Sequence, residues 1–243
     1  MVERAATKAP GGSRFADTRW TLVGAAAGSD PTRARSALLG LCLQYWYPVY
    51  AYLRRCGHGP VVAEDIASAF FEDLLQSRLS PATDSGRSRF RDFLLDSLHR
   101  FLATDWRETG APQASGVIAR PDVEALERRH RSEDEAATPQ QAFHRSYALE
   151  LIAGAHRRLY MEAAHAGREA MFEALAPLLG TPVEPGTLEP LARQLSTRPM
   201  VLAIALKRLR QRFQELVGEE LAQTVSDDAA LVREREELLA MLR

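Results

Sequence analysis

Side chains able to do chemistry are plentiful in this chain, but their spacing builds none of the common reactive groupings. Six histidines are scattered at His58, His99, His130, His144, His156 and His165. None stands at the helical spacing of paired metal ligands such as HExxH. The stretch from Gly24 to Asp30 (GAAAGSD) lacks the lysine and hydroxyl residue that a phosphate loop needs. Carboxylates fall on charged helical faces, where solvation is the ordinary outcome. The reading is a binding protein, not an enzyme, with no catalytic residue, no metal ligand and no cofactor.

Charge is distributed more tellingly than its total. The formal net charge is only -1. Between Ser196 and Arg212 stand five bases (Arg198, Lys207, Arg208, Arg210, Arg212) and no acid, whereas Gln214 to Arg243 carries eight acids and three bases. A basic segment followed by an acidic tail predicts a local polyanion site instead of a wholly basic surface. The basic segment lies in EPLARQLSTRPMVLAIALKRLRQRF, residues 189–213. A short helix ending near Leu195, a three-residue turn and Pro199 opening a longer helix give helix-turn-helix spacing. Leu195, Leu202, Leu206, Leu209, Phe213 and Leu216 form the stripe expected to be buried, and Met200, Ala203, Lys207 and Arg210 the stripe expected to meet DNA. The competing reading is a plain amphipathic hairpin with solvated arginines. Ser196 stands where such turns favour glycine, and Met200 to Leu206 is wholly apolar. The polar partners that read base edges are therefore few. Tyr45-Trp46-Tyr47 is either a stacking platform for single-stranded bases or core, with core the commoner outcome. Arg87, Arg89 and Arg91 precede or open a helix where phosphate contact is possible.

These residues need helices to position them. The chain is 243 residues long, 46% hydrophobic and only 7% aromatic, which suits an all-α fold with a sizeable core. Apolar steps of three and four predict a helix over 32–56, stopped by Gly57-His58-Gly59-Pro60, and others over 62–78 and 90–106. Thr138-Pro139-Gln140-Gln141 is a capping box that opens a helix running to about Ala166. Further helices are expected near 171–178, 188–195 and 199–217, with a last one ending at Leu242. The segment EALERRHRSEDE is either a solvated short helix or disordered. The expected organisation is a disordered lead-in over 1–12, a helical domain over 13–107, a linker over 108–137, a helix-turn-helix domain over 138–225 and an acidic helix over 226–243. Cys42 and Cys56 are expected to be buried and reduced, and no apolar run approaches a membrane span or signal core, so the protein is expected in the cytoplasm.

Several blocks together resemble a subgroup of extracytoplasmic-function sigma factors of bacterial RNA polymerase. They are Thr18-Arg19-Trp20-Thr21-Leu22-Val23, the aromatic block within Leu38 to His58, and Ala63-Glu64-Asp65-Ile66 through Phe70-Phe71 to Leu74-Leu75. Arg89 to Leu98 and the RLR at 208–210 complete the set. The resemblance covers about 18–107 and 138–225. It implies a region-2-like domain that docks on the clamp coiled coil of the polymerase β′ subunit and helps to melt the -10 element. It also implies a region-4-like domain that reads the -35 element of promoter DNA and contacts the β flap. Carried over by position, polymerase contact falls to Glu64, Asp65, Ser68, Phe71 and Glu72, and -10 contact to Arg89, Arg91, Arg100, Trp106 and Arg107. The -35 helix would use Arg198, Ala203, Lys207, Arg208, Arg210 and Gln211.

The chain departs from that pattern in three places. The polymerase-facing helix reads VVAEDIASAFF where the family is more acidic and polar, Arg107 alone replaces a basic run after Trp106, and Ala203 replaces charge in the recognition helix. Related subgroups answer to protein kinases, and Ser68 is the hydroxyl available on the polymerase-facing helix for a Ser/Thr kinase. The alternative is a sigma-like interaction regulator that has lost promoter recognition and binds protein through Met200, Val201 and Ile204.

Overall fold

The computed structural model describes residues 18–25, 31–76, 89–104, 120–133 and 136–241. Every named element among them is helical, and a lone antiparallel bridge between Arg89 and Val225 is the extent of β pairing there. The chain is all-α. The lead-in expected over 1–12 lies outside the described residues, as do residues 108–119 of the expected linker.

The helix expected over 32–56 is two, α2 (Pro31–Gln44) and α3 (Trp46–Arg55), preceded by α1 (Arg19–Ala25). Pro48 explains the break: in a continuous helix its ring would meet the carbonyl of Gln44 and its missing N–H would leave that carbonyl unpaired. Tyr45 takes up the change of direction, with φ -106° and ψ 27°. The predicted stop is present. Gly57 adopts φ 92°. Its N–H reaches Arg54 O at 3.1 Å and that of His58 reaches Leu53 O at 3.3 Å, a paired closure of the last turn. Pro60 then opens α4 (Pro60–Gln76) at a position where its missing N–H costs nothing.

Past α5 (Phe90–Ala103) comes α6 (Val123–Arg131), the charged segment left open between solvated helix and disorder. It is a helix, capped by Asp122 accepting from Glu124 N at 2.9 Å, and it buries Leu126, Glu127 and His130. The spine is α7 (Pro139–His165), opened by the predicted capping box: Thr138 Oγ1 accepts from Gln141 N at 3.3 Å and Gln141 Oε1 from Thr138 N at 2.9 Å. Then follow α8 (Glu169–Leu175), a 3-10 turn over Ala176–Leu178, α9 (Leu188–Gln194), α10 (Pro199–Ala222) and α11 (Asp228–Met241).

The core does not divide at 108–137. Every residue of α3 from Trp46 to Leu53 is buried, and the principal neighbour of α3 is the first half of α7. Tyr45 and Tyr147 stack with ring centroids 4.1 Å apart and planes 11° from parallel. One apolar cluster runs from Trp20 to Leu98, continues through Leu126, Phe143, Tyr147 and Leu151, and takes in Leu221 and Leu238. The chain after α10 also ties back to its opening: Trp20 N donates to Gln223 O at 3.0 Å and Phe90 N to Thr224 O at 2.8 Å. A smaller lobe begins midway along α7, where Ala155, Leu159 and Ala163 meet Phe172 and Leu216, and Leu175 meets Ala192, Leu202 and Leu206. Packing thus places the change of core inside α7, because 3.6-residue periodicity carries one apolar stripe along a 27-residue helix and two bundles share it.

The two cysteines separate. Cys42 is buried, and burial pushes its thiol well above the usual range, whereas Cys56, just past the end of α3, is exposed. The sequence expectation of two buried thiols therefore holds for Cys42 alone.

Candidate nucleic-acid interface

The segment expected to form a helix-turn-helix folds as α9, a turn through Ser196, and α10. Its expected apolar stripe is the packed one: Leu202, Leu206 and Leu216 are buried, with Leu195, Leu209 and Phe213 against them. Ser196 sits at φ 49°. Its N–H reaches Arg193 O at 3.2 Å and that of Thr197 reaches Ala192 O at 2.9 Å, the same closure that Gly57 makes after α3 and Gly167 after α7. Ser196 thus meets the geometry that glycine usually serves, at the steric cost a Cβ carries in the left-handed region. Ser196→Gly should raise the unfolding free energy of this lobe by about 1 kcal/mol, read by denaturant titration. A loss of stability would refute the strain.

Beyond the turn, Arg198, Met200, Val201, Ala203, Ile204, Lys207, Arg208 and Gln211 are all exposed. Two of the expected bases are engaged elsewhere. Arg210 turns away from the outer face and donates to the carbonyls of Leu178 (2.8 Å) and Thr181, pinning the chain after α8. Arg212 pairs with Glu162 at 2.7 Å and with Glu215 and Glu219 at 3.1 Å each. The outward cations here are Arg198, Lys207 and Arg208, beside an apolar groove of about 560 Å³ lined by Leu159, Phe172, Val201, Ile204 and Arg208 among others.

Two of the arginines expected at the -10 element, Arg89 and Arg91, are not on an open surface. Arg91 is 2% exposed and forms a two-pronged pair with Glu234 of α11, Nε to Oε1 at 2.8 Å and Nη2 to Oε2 at 2.9 Å. Glu237 also accepts from it, and His144 Nδ1 lies 3.0 Å from Nη1. Arg89, half-buried, reaches Asp92 at 2.7 Å, Glu237 at 2.7 Å and Glu234 at 3.3 Å. Arg100 is exposed and donates to Ser97 Oγ at 3.1 Å. Trp106 and Arg107 lie outside the described residues.

The residues assigned to polymerase contact are mostly interior. Phe71 is fully buried between Trp46 and Phe70, and Glu72 is buried with Oε2 lacking a hydrogen-bond partner among the described residues. Glu64 is buried too; it accepts from Ser68 Oγ at 2.8 Å and from Arg120 at 3.0 Å. Asp65 is exposed, and Arg120 bridges it at 2.9 Å. Ser68 is thus an interior donor to a carboxylate, and a phosphate on it would set a second anion against Glu64. In this conformation the hydroxyl is closed to a kinase. The aromatic triplet Tyr45-Trp46-Tyr47 is core, all three residues being buried.

Sequence reasoning missed the partners of these groups. Glu127 of α6 accepts from Tyr50 OH at 2.5 Å and holds Arg54 in a two-pronged pair at 2.7 and 3.1 Å. The Arg54 guanidinium keeps the Glu127 carboxyl below the usual carboxylate range. Burial and the neighbouring Arg91 guanidinium push the His144 imidazole down to about 4. Folding therefore favours neutral His144, and this contribution is intact above the free imidazole value of 6.5 and is lost as pH falls toward 4. Between pH 8 and pH 5 the loss is about 2 kcal/mol, and His144→Asn should flatten that part of a stability-against-pH curve.

Among the described residues, no three or more His, Cys, Asp or Glu side chains gather as a metal would require, and no helix is long and apolar enough to cross a membrane. Compared with protein-family models, with curated proteins and with solved structures, the chain gives no significant match.

Proposed function

We propose that this chain is a sigma-type initiation factor of the cytoplasm, which binds core RNA polymerase and directs it to promoter DNA through α10. The observation that carries the reading is the exposed outer face of α10, with Arg198 beside the tight turn, Lys207 and Arg208 two turns further along, and the leucine stripe buried behind them. Three phosphate contacts would give a slope of log K against log salt near -2.7 on duplex DNA. The test is to mix the purified protein with core polymerase, look for co-elution, and then assay transcripts from the DNA upstream of its own reading frame. A single substitution Lys207→Ala should lower DNA affinity and shorten the salt slope by about 0.9.

A second reading has its own support. Met200 is 70% exposed, with Val201 and Ile204 beside it at the groove between α7, α8 and α10. Apolar exposure in the first half of a recognition helix suits protein better than base edges. On this reading the chain is a sigma-like regulator that binds a protein partner and has lost promoter recognition. Absence of DNA binding at low salt, with co-elution retained, would establish it over the first.

A further inference from the structure

Two charged pairs assigned to contact by position, Arg89 with Arg91 and Glu64 with Asp65, are each met by the opposite charge from elsewhere in the chain. On the side of α5, the two carboxylates of Glu234 and Glu237 stand three residues apart on one face of α11 and take up Arg89 and Arg91. On the side of α4, Arg120 takes up Glu64 and Asp65. Two carboxylates at a pair of guanidiniums present the charge and the acceptor oxygens that two backbone phosphates would present. They occupy the donors that nucleic acid would need.

The apolar hold of α11 is thin beside that of α3 or α7. Ala230 and Leu238 are its buried apolar residues, with Leu231 and Met241 partly covered, while Val232 and Leu239 are more than half exposed or at that level (57% and 50%). Its attachment is thus weighted toward ion pairs, of which those to Glu237, itself 42% exposed, are the ones a competing polyanion reaches first.

Resting on the nucleic-acid reading above, we propose that α11 is a built-in competitor for DNA: its Glu234–Glu237 face closes the Arg89–Arg91 site, and nucleic acid gains that site only when α11 lifts. The structure is then the closed form, in which the Arg89–Arg91 pair is shut while the outer face of α10 and Arg100 stay exposed. Lifting breaks ion pairs on one side and forms guanidinium–phosphate pairs on the other, so the exchange conserves charge pairing and is driven by whichever anion binds better.

The test uses the full chain and a fluorescent single-stranded oligonucleotide, dT20, at low salt. Glu237→Gln removes a covering carboxylate that is itself 42% exposed, so folding is retained. Glu236→Gln makes the same charge change on an exposed position of the same helix. The expected result is binding at least 5-fold tighter for Glu237→Gln, with Glu236→Gln close to wild type. Equal affinities for all three proteins, or equal gains for both variants, would overturn the competitor role and leave DNA binding itself standing. No binding of dT20 by any of them would overturn the competitor, and no binding of duplex promoter DNA at low salt either would overturn the nucleic-acid reading with it. Hydrogen exchange on the wild type gives an independent readout. Amides of α11 should exchange faster when dT20 is bound, and unchanged or slower exchange there would contradict the lifting.

Discussion

Glu234→Ala is expected to lower the unfolding free energy by about 3 kcal/mol, the low end for breaking a buried pair by removing one partner. Arg91 and Glu234 are 2% and 1% exposed, so the guanidinium left behind has no route to water while the fold is intact. Glu237 and His144 remain against it, which holds the loss at the low end of the range. The complementary double substitution, Arg91→Met with Glu234→Leu, removes both charges and fills the same volume, and should recover most of the stability. Denaturant unfolding of wild type, Arg91→Met, Glu234→Leu and the double variant gives the coupling directly, with Glu234→Ala measured beside them. A loss below 1 kcal/mol for Glu234→Ala would mean that Arg91 escapes to solvent, and with it that α11 detaches at little cost. The same cycle therefore bounds how easily the proposed cover can open.

Local chemistry was legible in the sequence where a residue acts on its own neighbours. Thr138 and Gln141 formed their box, Gly57 and Pro60 ended one helix and began the next, and the leucines of α10 faced inward as their spacing required. The break at Tyr45 was also written in the chain, in Pro48, but the continuous apolar periodicity of 38–53 spoke louder than a single proline. What could not be read was pairing over distance. Arg91 and Glu234 are 143 positions apart, and Arg54 and Glu127 are 73 apart. A carboxylate on a charged helix looks solvated until its partner arrives from another element, and nothing in spacing encodes that arrival. For the same reason the acidic excess of the tail was visible while its target was not. The candidate site followed the same rule. The buried stripe of α10 was legible because amphipathic faces are local, while the turning of Arg210 onto the carbonyls of Leu178 and Thr181 and the interior placing of Phe71, Glu72 and Ser68 depended on what packs around them.

The unity of the main core yields the other large effect. Tyr147 is fully buried on the first half of α7, stacked on Tyr45 and 6.2 Å from Phe143 in centroid distance. Tyr147→Ala removes a complete ring from a site walled by α3 and α7, where the helices cannot close over the space, and should cost about 3–5 kcal/mol. Tyr147→Phe keeps the ring and should cost far less, which separates stacking from the hydroxyl. Because the ring joins residues of both halves, the loss should appear in every probe of the main core at one denaturant midpoint, including the Trp20 and Trp46 fluorescence reported from the first half. A fragment covering 13–107 lacks Phe143, Tyr147 and Leu151, so it would expose the face of α3 that α7 covers, and it should fail to show cooperative unfolding on its own. Two separate transitions in the full chain, with the first-half tryptophans blind to Tyr147→Ala, would instead establish independent domains and refute the shared core.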